Sequence, residues 1–250
     1  ANLYHKYGIK KGDRIAVLSP FSVNLIALFG AAQKAGFILV PLNFRLTASE
    51  QAYQLNNCEA GVLIYDHEFD EAADLLEVQK IKWEDLETET SESYSEDLTE
   101  DDTLFILYTS GTTGFPKGAL YTHKMLFWNS LNTALRLDLN SNDITINCMP
   151  PFHTGGWNVL ITPLLHVGGT IHLMSKFDPD QLLTEIESTK TTLLMVVPTM
   201  LKMMEGSANF ETLNAPNLRY HIVGGETLPL ESVENWAKKI DVDIIKSSQG

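Results

Sequence analysis

Short apolar runs, each closed by proline, glycine or a hydroxyl residue, alternate along the chain with longer stretches in which apolar residues recur every three or four positions. The short runs read as buried strands and the periodic stretches as helices. Arg14 to Leu18 predicts a strand ended by Ser19-Pro20. Ser22 to Ala35 predicts a helix with Val23, Ile26, Ala27, Gly30 and Ala31 on one face. Phe37 to Val40 is a strand stopped by Pro41, and Ala60 to Tyr65 a third strand. Between them, Thr47-Ala-Ser-Glu50 is a capping box, in which a hydroxyl and a carboxylate satisfy the first free amides of a helix.

The pattern resumes at Thr103 to Tyr108, a strand followed by a loop rich in glycine and threonine. A helix is predicted from about Thr122, with Met125, Trp128, Leu131 and Leu135 facing inward. Further strands are expected at Ile144 to Met149, Thr170 to Met174, Thr192 to Val197, Arg219 to Val223 and Val242 to Lys246. Helices are expected at Trp157 to His166, after Asp178-Pro179, and at Leu230 to Ile240. Strand–helix–strand units at this spacing predict an α/β fold, with mostly parallel sheets flanked by helices. In such folds ligands sit at the carboxyl ends of strands. Three candidate loops lie there: the one after Tyr108, Gly224-Gly225-Glu226, and Ser247 to Gly250.

Composition narrows the class. The chain has 250 residues and a net charge of −14, which opposes a nucleic-acid partner because phosphate backbones demand basic surface. Much of that charge lies between Glu84 and Asp102, where ten residues are acidic and none is Lys or Arg. That stretch reads as a solvated linker. It lies within the first of two expected lobes, residues 10–140 and 141–250. No apolar run is long enough to span a bilayer, and the first residues do not form a signal peptide, so a cytoplasmic location is expected. Cys58 and Cys148 stand far apart and read as buried thiols, and no His or Cys spacing suggests a metal.

The stretch Tyr108-Thr-Ser-Gly-Thr-Thr-Gly-Phe-Pro-Lys-Gly-Ala-Leu120 carries the chemistry. Its glycines allow backbone amides to turn toward an anion, its hydroxyls add donors, and Lys117 supplies a point charge. The loop lacks the GxxxxGK[ST] order of a P-loop, and the chain has no GxGxxG or GxSxG element.

The sequence around this loop instead resembles the signature of the adenylate-forming superfamily of acyl-CoA synthetases, luciferases and peptide-synthetase adenylation domains. KKGDRIAVL, AGFILVPLNFRLTASE, MPPFHTGGW and VGGETLP agree in order and spacing. The resemblance covers nearly the whole chain and implies a partial, two-lobed N-terminal domain.

It also implies ATP-dependent activation of a carboxylic acid, with Mg2+, to an acyl-adenylate, followed by transfer to coenzyme A. Residues 109–118 would form the phosphate loop, with Thr109, Ser110, Gly111, Thr112, Thr113, Gly114 and Lys117 holding phosphates. Within it, Thr112, Thr113 and Lys117 would take the catalytic part. Gly224, Gly225 and Glu226 would lie along the adenine, and Gln249 and Gly250 would precede the family's aromatic-Gly-x-Thr-Glu motif. His153, Gly155, Gly156, Val159 and Val223 would border the acyl pocket, and the glycines there favour fatty or aryl acids over acetate. Lacking the residues that follow Gly250 in the family, the chain alone is expected to be inactive. The alternative from another class is a non-catalytic module that binds ATP or AMP.

Overall fold

The computed structural model describes residues 1–86, 94–109, 115–241 and 245–248. Contacts divide the chain into one unit of residues 1–128 with 151–153, and another of 129–150 with 154–250. The boundary differs from the lobes expected at 140/141 because core membership decides it. Ala134, Leu137 and Leu139 pack into the second unit's core, whereas Phe152 packs edge-on against Phe44 of the first.

In the first unit the order is α1 (Asn2–Tyr7), β1 (Arg14–Leu18), α2 (Val23–Ala35), β2 (Ile38–Pro41), α3 (Ala48–Cys58), β3 (Val62–Tyr65), α4 (Asp70–Asp74), β4 (Gln79–Lys82), β5 (Thr103–Thr109) and β6 (Lys117–Thr122). The sheet order is β4-β3-β1-β2-β5-β6. All neighbours are parallel except β5 and β6, which are antiparallel. Ile15, Ala16, Val17 and Leu18 are at most 1% exposed, which explains why this inner strand is a continuous apolar run and does not alternate. β4 gave no such signal, since only Ile81 of its four residues is fully buried and the strand is an edge.

Local signals held at the helix starts. Ser22 accepts the Leu25 amide, and Thr47 and Glu50 form the full capping box. The phase of the apolar faces came out differently. α2 buries Leu25, Leu28, Phe29 and Ala32, and leaves Val23 77% exposed. In α5 (His123–Leu137), Leu126 and Ser130 are buried, whereas Met125, Trp128 and Leu135 are at least half exposed. Both helices are apolar enough that two faces satisfy the same 3.6-residue period, and packing chooses between them. Thr122 caps α5 as expected, accepting the Met125 amide at 3.2 Å.

The described part of the acidic stretch is mostly exposed, but it is also tied to the unit. Trp83 to Asp85 form a turn of 3-10 helix with Trp83 buried. Beyond residues 87–93, which lie outside the described residues, Tyr94 stacks on Tyr4 and the Glu96 amide donates to the Lys34 carbonyl oxygen. Lys11 donates to the Asp97 carbonyl oxygen and pairs with Asp102 at 2.8 Å. Neighbouring cations and backbone amides thus draw part of this acidic segment onto the unit.

The second unit contains β7 (Ile144–Asn147), α6 (Thr154–Asn158), α7 (Ile161–Val167), β8 (Thr170–Leu173), α8 (Pro179–Ser188), β9 (Leu193–Val196), α9 (Pro198–Glu205), α10 (Ala208–Glu211), β10 (Tyr220–Gly224), α11 (Leu230–Trp236) and β11 (Ile245–Ser248). The sheet is parallel throughout, in the order β11-β10-β9-β7-β8. Successive residues alternate between two cores. Leu194, Val196 and Val223 join Trp236, while Leu193, Met195 and Ile222 join Leu160 and Leu164. The single helix expected over Trp157 to His166 is two helices. Pro163 has no amide to bond the Val159 carbonyl, so the chain breaks there and Pro163 falls in the first turn of α7. Asp178 caps α8 and Pro179 opens it, as the sequence implied.

Candidate functional site

The phosphate-loop motif joins two antiparallel strands; the second of these, β6, is not among the strands expected, while the helix follows it where the sequence places it. β5 enters, Thr109 pairs with Lys117 across the neck, and β6 must run its length before α5 begins at His123. Ser110, Gly111, Thr112, Thr113 and Gly114 lie outside the described residues. Lys117 is exposed at the first position of β6 and has no ion-pair partner among the described residues. Gly118 is required by close packing, since a Cβ there would lie 2.7 Å from Ile106 Cγ2 and 3.3 Å from Tyr108 Cζ. The glycine lets β6 cross the side chains of β5, and so fixes where Lys117 emerges.

His153 belongs to the same unit and follows the buried Pro151 and Phe152. Its ring packs against Phe152 at 4.7 Å, and the Arg45 guanidinium lies over the other ring of the pair, 5.7 Å from the Phe152 centroid. One side of His153 stays open to solvent. Desolvation, and after it the positive charge of Arg45, hold its pKa below the ordinary histidine value. The imidazole is therefore held toward its neutral form, with one nitrogen able to accept a hydrogen bond. The sequence reading missed Arg45, although it lies within AGFILVPLNFRLTASE.

In the second unit, β10 ends at Gly224, and Gly225 has a φ of +90°, a conformation that disfavours any side chain. Gly225 and Glu226 are exposed beyond the strand end. Gly155 sits near Met195, whose Cε would lie 3.4 Å from an added Cβ. Gly156 is buried in α6, and Val159 packs against the cluster containing Met195 and Ile222. Val223 is fully buried in the other cluster, with Val196 and Trp236, so its side chain and that of Val159 are not gathered in one wall. Gln249 and Gly250 lie outside the described residues.

At the amino ends of these strands the chemistry differs. Asp143, only 2% exposed, accepts from Arg219 Nε at 3.1 Å and Nη2 at 2.9 Å, and from the Thr192 hydroxyl at 2.8 Å. The Asn140 amide adds a fourth donor. His221 is wholly buried beside Trp236, ring centroids 4.4 Å apart, and its two nitrogens have no hydrogen-bond partner among the described residues. Burial pushes its pKa down to about 3. Cys58 and Cys148 are buried free thiols, and desolvation raises the pKa of each. Among the described residues no cluster of His, Cys, Asp and Glu could hold a metal, so no residue is assigned to Mg2+. Among the described residues no helix is long and apolar enough to cross a membrane.

Mostly parallel sheets flanked by helices, with a glycine- and hydroxyl-rich hairpin bearing a lysine at its neck, are the architecture of the N-terminal domains of adenylate-forming enzymes. The family model described as AMP-binding enzyme matches residues 1–247, and the chain belongs to that family. It is 33% identical over 239 residues to a feruloyl-CoA synthase from Amycolatopsis sp, covering 94% of this chain and 49% of that protein. It is 30% identical over 259 residues to the long-chain-fatty-acid–CoA ligase FadD13 of Mycobacterium tuberculosis, covering 98% of this chain and 51% of the relative. The chain thus spans about half the length of the curated relatives it matches. Among solved structures, the inhibitor-bound N-terminal domain of FACL13 from M. tuberculosis superposes with a TM-score of 0.89 at 30% identity, covering all of this chain and 65% of that one. ATP-bound MatB from Rhodopseudomonas palustris gives 0.85 at 28%, covering 100% and 52%.

Proposed function

We propose that the intact protein is an AMP-forming acid–thiol ligase that activates a fatty or aryl carboxylic acid with ATP and passes the acyl group to coenzyme A. In the first step a carboxylate oxygen attacks the α-phosphorus, and the bond to pyrophosphate breaks. In the second, the thiolate attacks the acyl carbon and AMP departs. Lys117 neutralises charge on the departing phosphates, and the loop sequence 109–116 is rich in glycine and hydroxyl residues suited to phosphate oxygens. Gly224, Gly225 and Glu226 offer uncharged, close-approaching backbone to the adenine. His153, held toward neutrality by its setting, borders the acyl side. Gly155, Gly156, Val159 and Val223 lie on the segments that would line that pocket.

The observation that carries this reading is Lys117. It is an exposed cation without an ion-pair partner among the described residues, at the neck of a loop whose composition suits phosphate. The named activities of the feruloyl-CoA synthase and the long-chain ligase support an aryl or fatty acid. The test is ATP–pyrophosphate exchange by the intact protein across fatty and aryl acids, then coenzyme A thioester formation with the best acid. Acid-dependent exchange is expected. Its absence with every acid, alongside measurable ATP binding, would favour a nucleotide-binding module without catalysis.

A further inference from the structure

Helix α3 touches both sides of the hairpin that carries Lys117. Before the loop, the Tyr108 hydroxyl donates to Asn57 Oδ1 at 2.8 Å and lies 3.0 Å from the Gln54 carbonyl oxygen. After the loop, the Tyr53 hydroxyl donates to the Pro116 carbonyl oxygen at 3.4 Å, and its ring lies 5.4 Å from that of Phe115, tilted by 33°. Pro116 has no amide of its own, so its carbonyl is the one backbone group by which it can be held through a hydrogen bond. The next residue is Lys117.

The helix does not need Tyr53 in order to pack. Gln51, Gln54, Leu55 and Cys58 form its buried face, and its start is fixed by the Thr47–Glu50 box. Phe115 is 66% exposed and contributes little to the core. An aromatic pair kept at the surface, next to a lysine with no ionic partner among the described residues, constrains the backbone more than it stabilises the fold.

We propose that Tyr53 is a positioning residue for ATP, acting through the backbone at Phe115-Pro116 to set where Lys117 emerges. This rests on the nucleotide role given to Lys117 above. Small displacements of a charge-stabilising group are costly, because alignment supplies much of the catalytic effect in phosphoryl chemistry.

The experiment compares the intact protein with Tyr53→Phe and Tyr53→Ala variants in ATP–pyrophosphate exchange. Tyr53→Ala is expected to raise KM for ATP about fivefold or more, with KM for the acid within about twofold. Tyr53→Phe, which keeps the ring against Phe115, recovers part of the loss. In a Lys117→Ala background the same Tyr53→Ala change should alter KM for ATP less than about twofold, because the two residues act as a unit. An unchanged KM for ATP, or the same factor with and without Lys117, overturns the proposal. If Tyr53→Ala does not fold, Phe115→Ser removes the same ring contact from an exposed position and is read by the same criteria. If no acid supports exchange in the wild type, the proposed reaction falls, and titration with a fluorescent ATP analogue decides the positioning separately. Weaker binding by Tyr53→Ala then supports it, and equal binding overturns it.

Discussion

The two sheets put charge to opposite uses. In the second unit Asp143, paired with Arg219, is buried at the amino ends of β7 and β10 and saturated with donors, while the carboxyl end of β10 is uncharged glycine backbone. In the first unit the exposed cation Lys117 stands at the neck of the hairpin, with its position set by strand pairing and a glycine crossing. A buried charge saturated with donors is costly to strip of its partner. One left exposed, with no ion-pair partner among the described residues, is available to a ligand.

If that contrast is right, Asp143→Ala should cost about 3 kcal/mol, because it leaves the partly buried Arg219 without its carboxylate and the Thr192 hydroxyl with only the more distant Ile144 carbonyl oxygen to donate to. Denaturant unfolding should register this as a lower midpoint. A cost under about 0.5 kcal/mol would mean that the pair is ornamental and would erase the contrast.

The second unit also buries a histidine without a hydrogen-bond partner among the described residues, and that should make it the acid-sensitive half. His221 is neutral when folded, with a pKa near 3, whereas in the unfolded chain it titrates near the ordinary value of about 6.5. Stability contributed by this group is therefore present above about pH 6.5 and falls as pH drops toward 3. Between pH 7 and 5 the loss should be about 2 kcal/mol. Replacing His221 with Phe should flatten that dependence, as followed by unfolding at several pH values. An equally steep fall in the variant would locate the sensitivity elsewhere.

For the first unit the expectation reverses, with function suffering and stability spared. Lys117→Ala should slow adenylation by the intact protein about tenfold or more, on the scale of losing one charge-stabilising group. Its unfolding free energy should move by less than about 0.5 kcal/mol, as for an exposed residue. Unchanged pyrophosphate exchange would remove the hairpin from the mechanism.

The smallest effect expected is at Arg45. Its charge helps hold the His153 pKa down, so Arg45→Leu should raise that pKa. The acid limb of any His153-dependent pH profile would then move to higher pH. Because desolvation is the larger cause, most of the depression should survive. A shift in the opposite direction would show that Arg45 acts on His153 by packing and not by charge. His153→Ala is a coarser probe of the same setting: it should alter acid preference or thiolation more than ATP affinity, measured by substrate profiling beside nucleotide titration.

The sequence by itself determined the alternation of strands and helices, the helix starts at Thr47, Thr122 and Asp178, and the phosphate-loop motif. These are local: a cap satisfies amides within one turn, and an apolar run is legible residue by residue. Only tertiary structure decided which apolar face α2 and α5 bury, because two faces fit the same period and the neighbours choose. Tertiary structure also made residues 117–122 an antiparallel strand, since its pairing partner is β5 and a glycine must permit the crossing. The same holds for the acidic stretch, whose later half reads as solvated by composition and is held by Lys11 and the Lys34 carbonyl. Arg45 beside Phe152 and His153, and Tyr53 beside Phe115, bring together residues far apart in sequence. Contacts of that range depend on how the sheet is assembled and leave no mark in local periodicity.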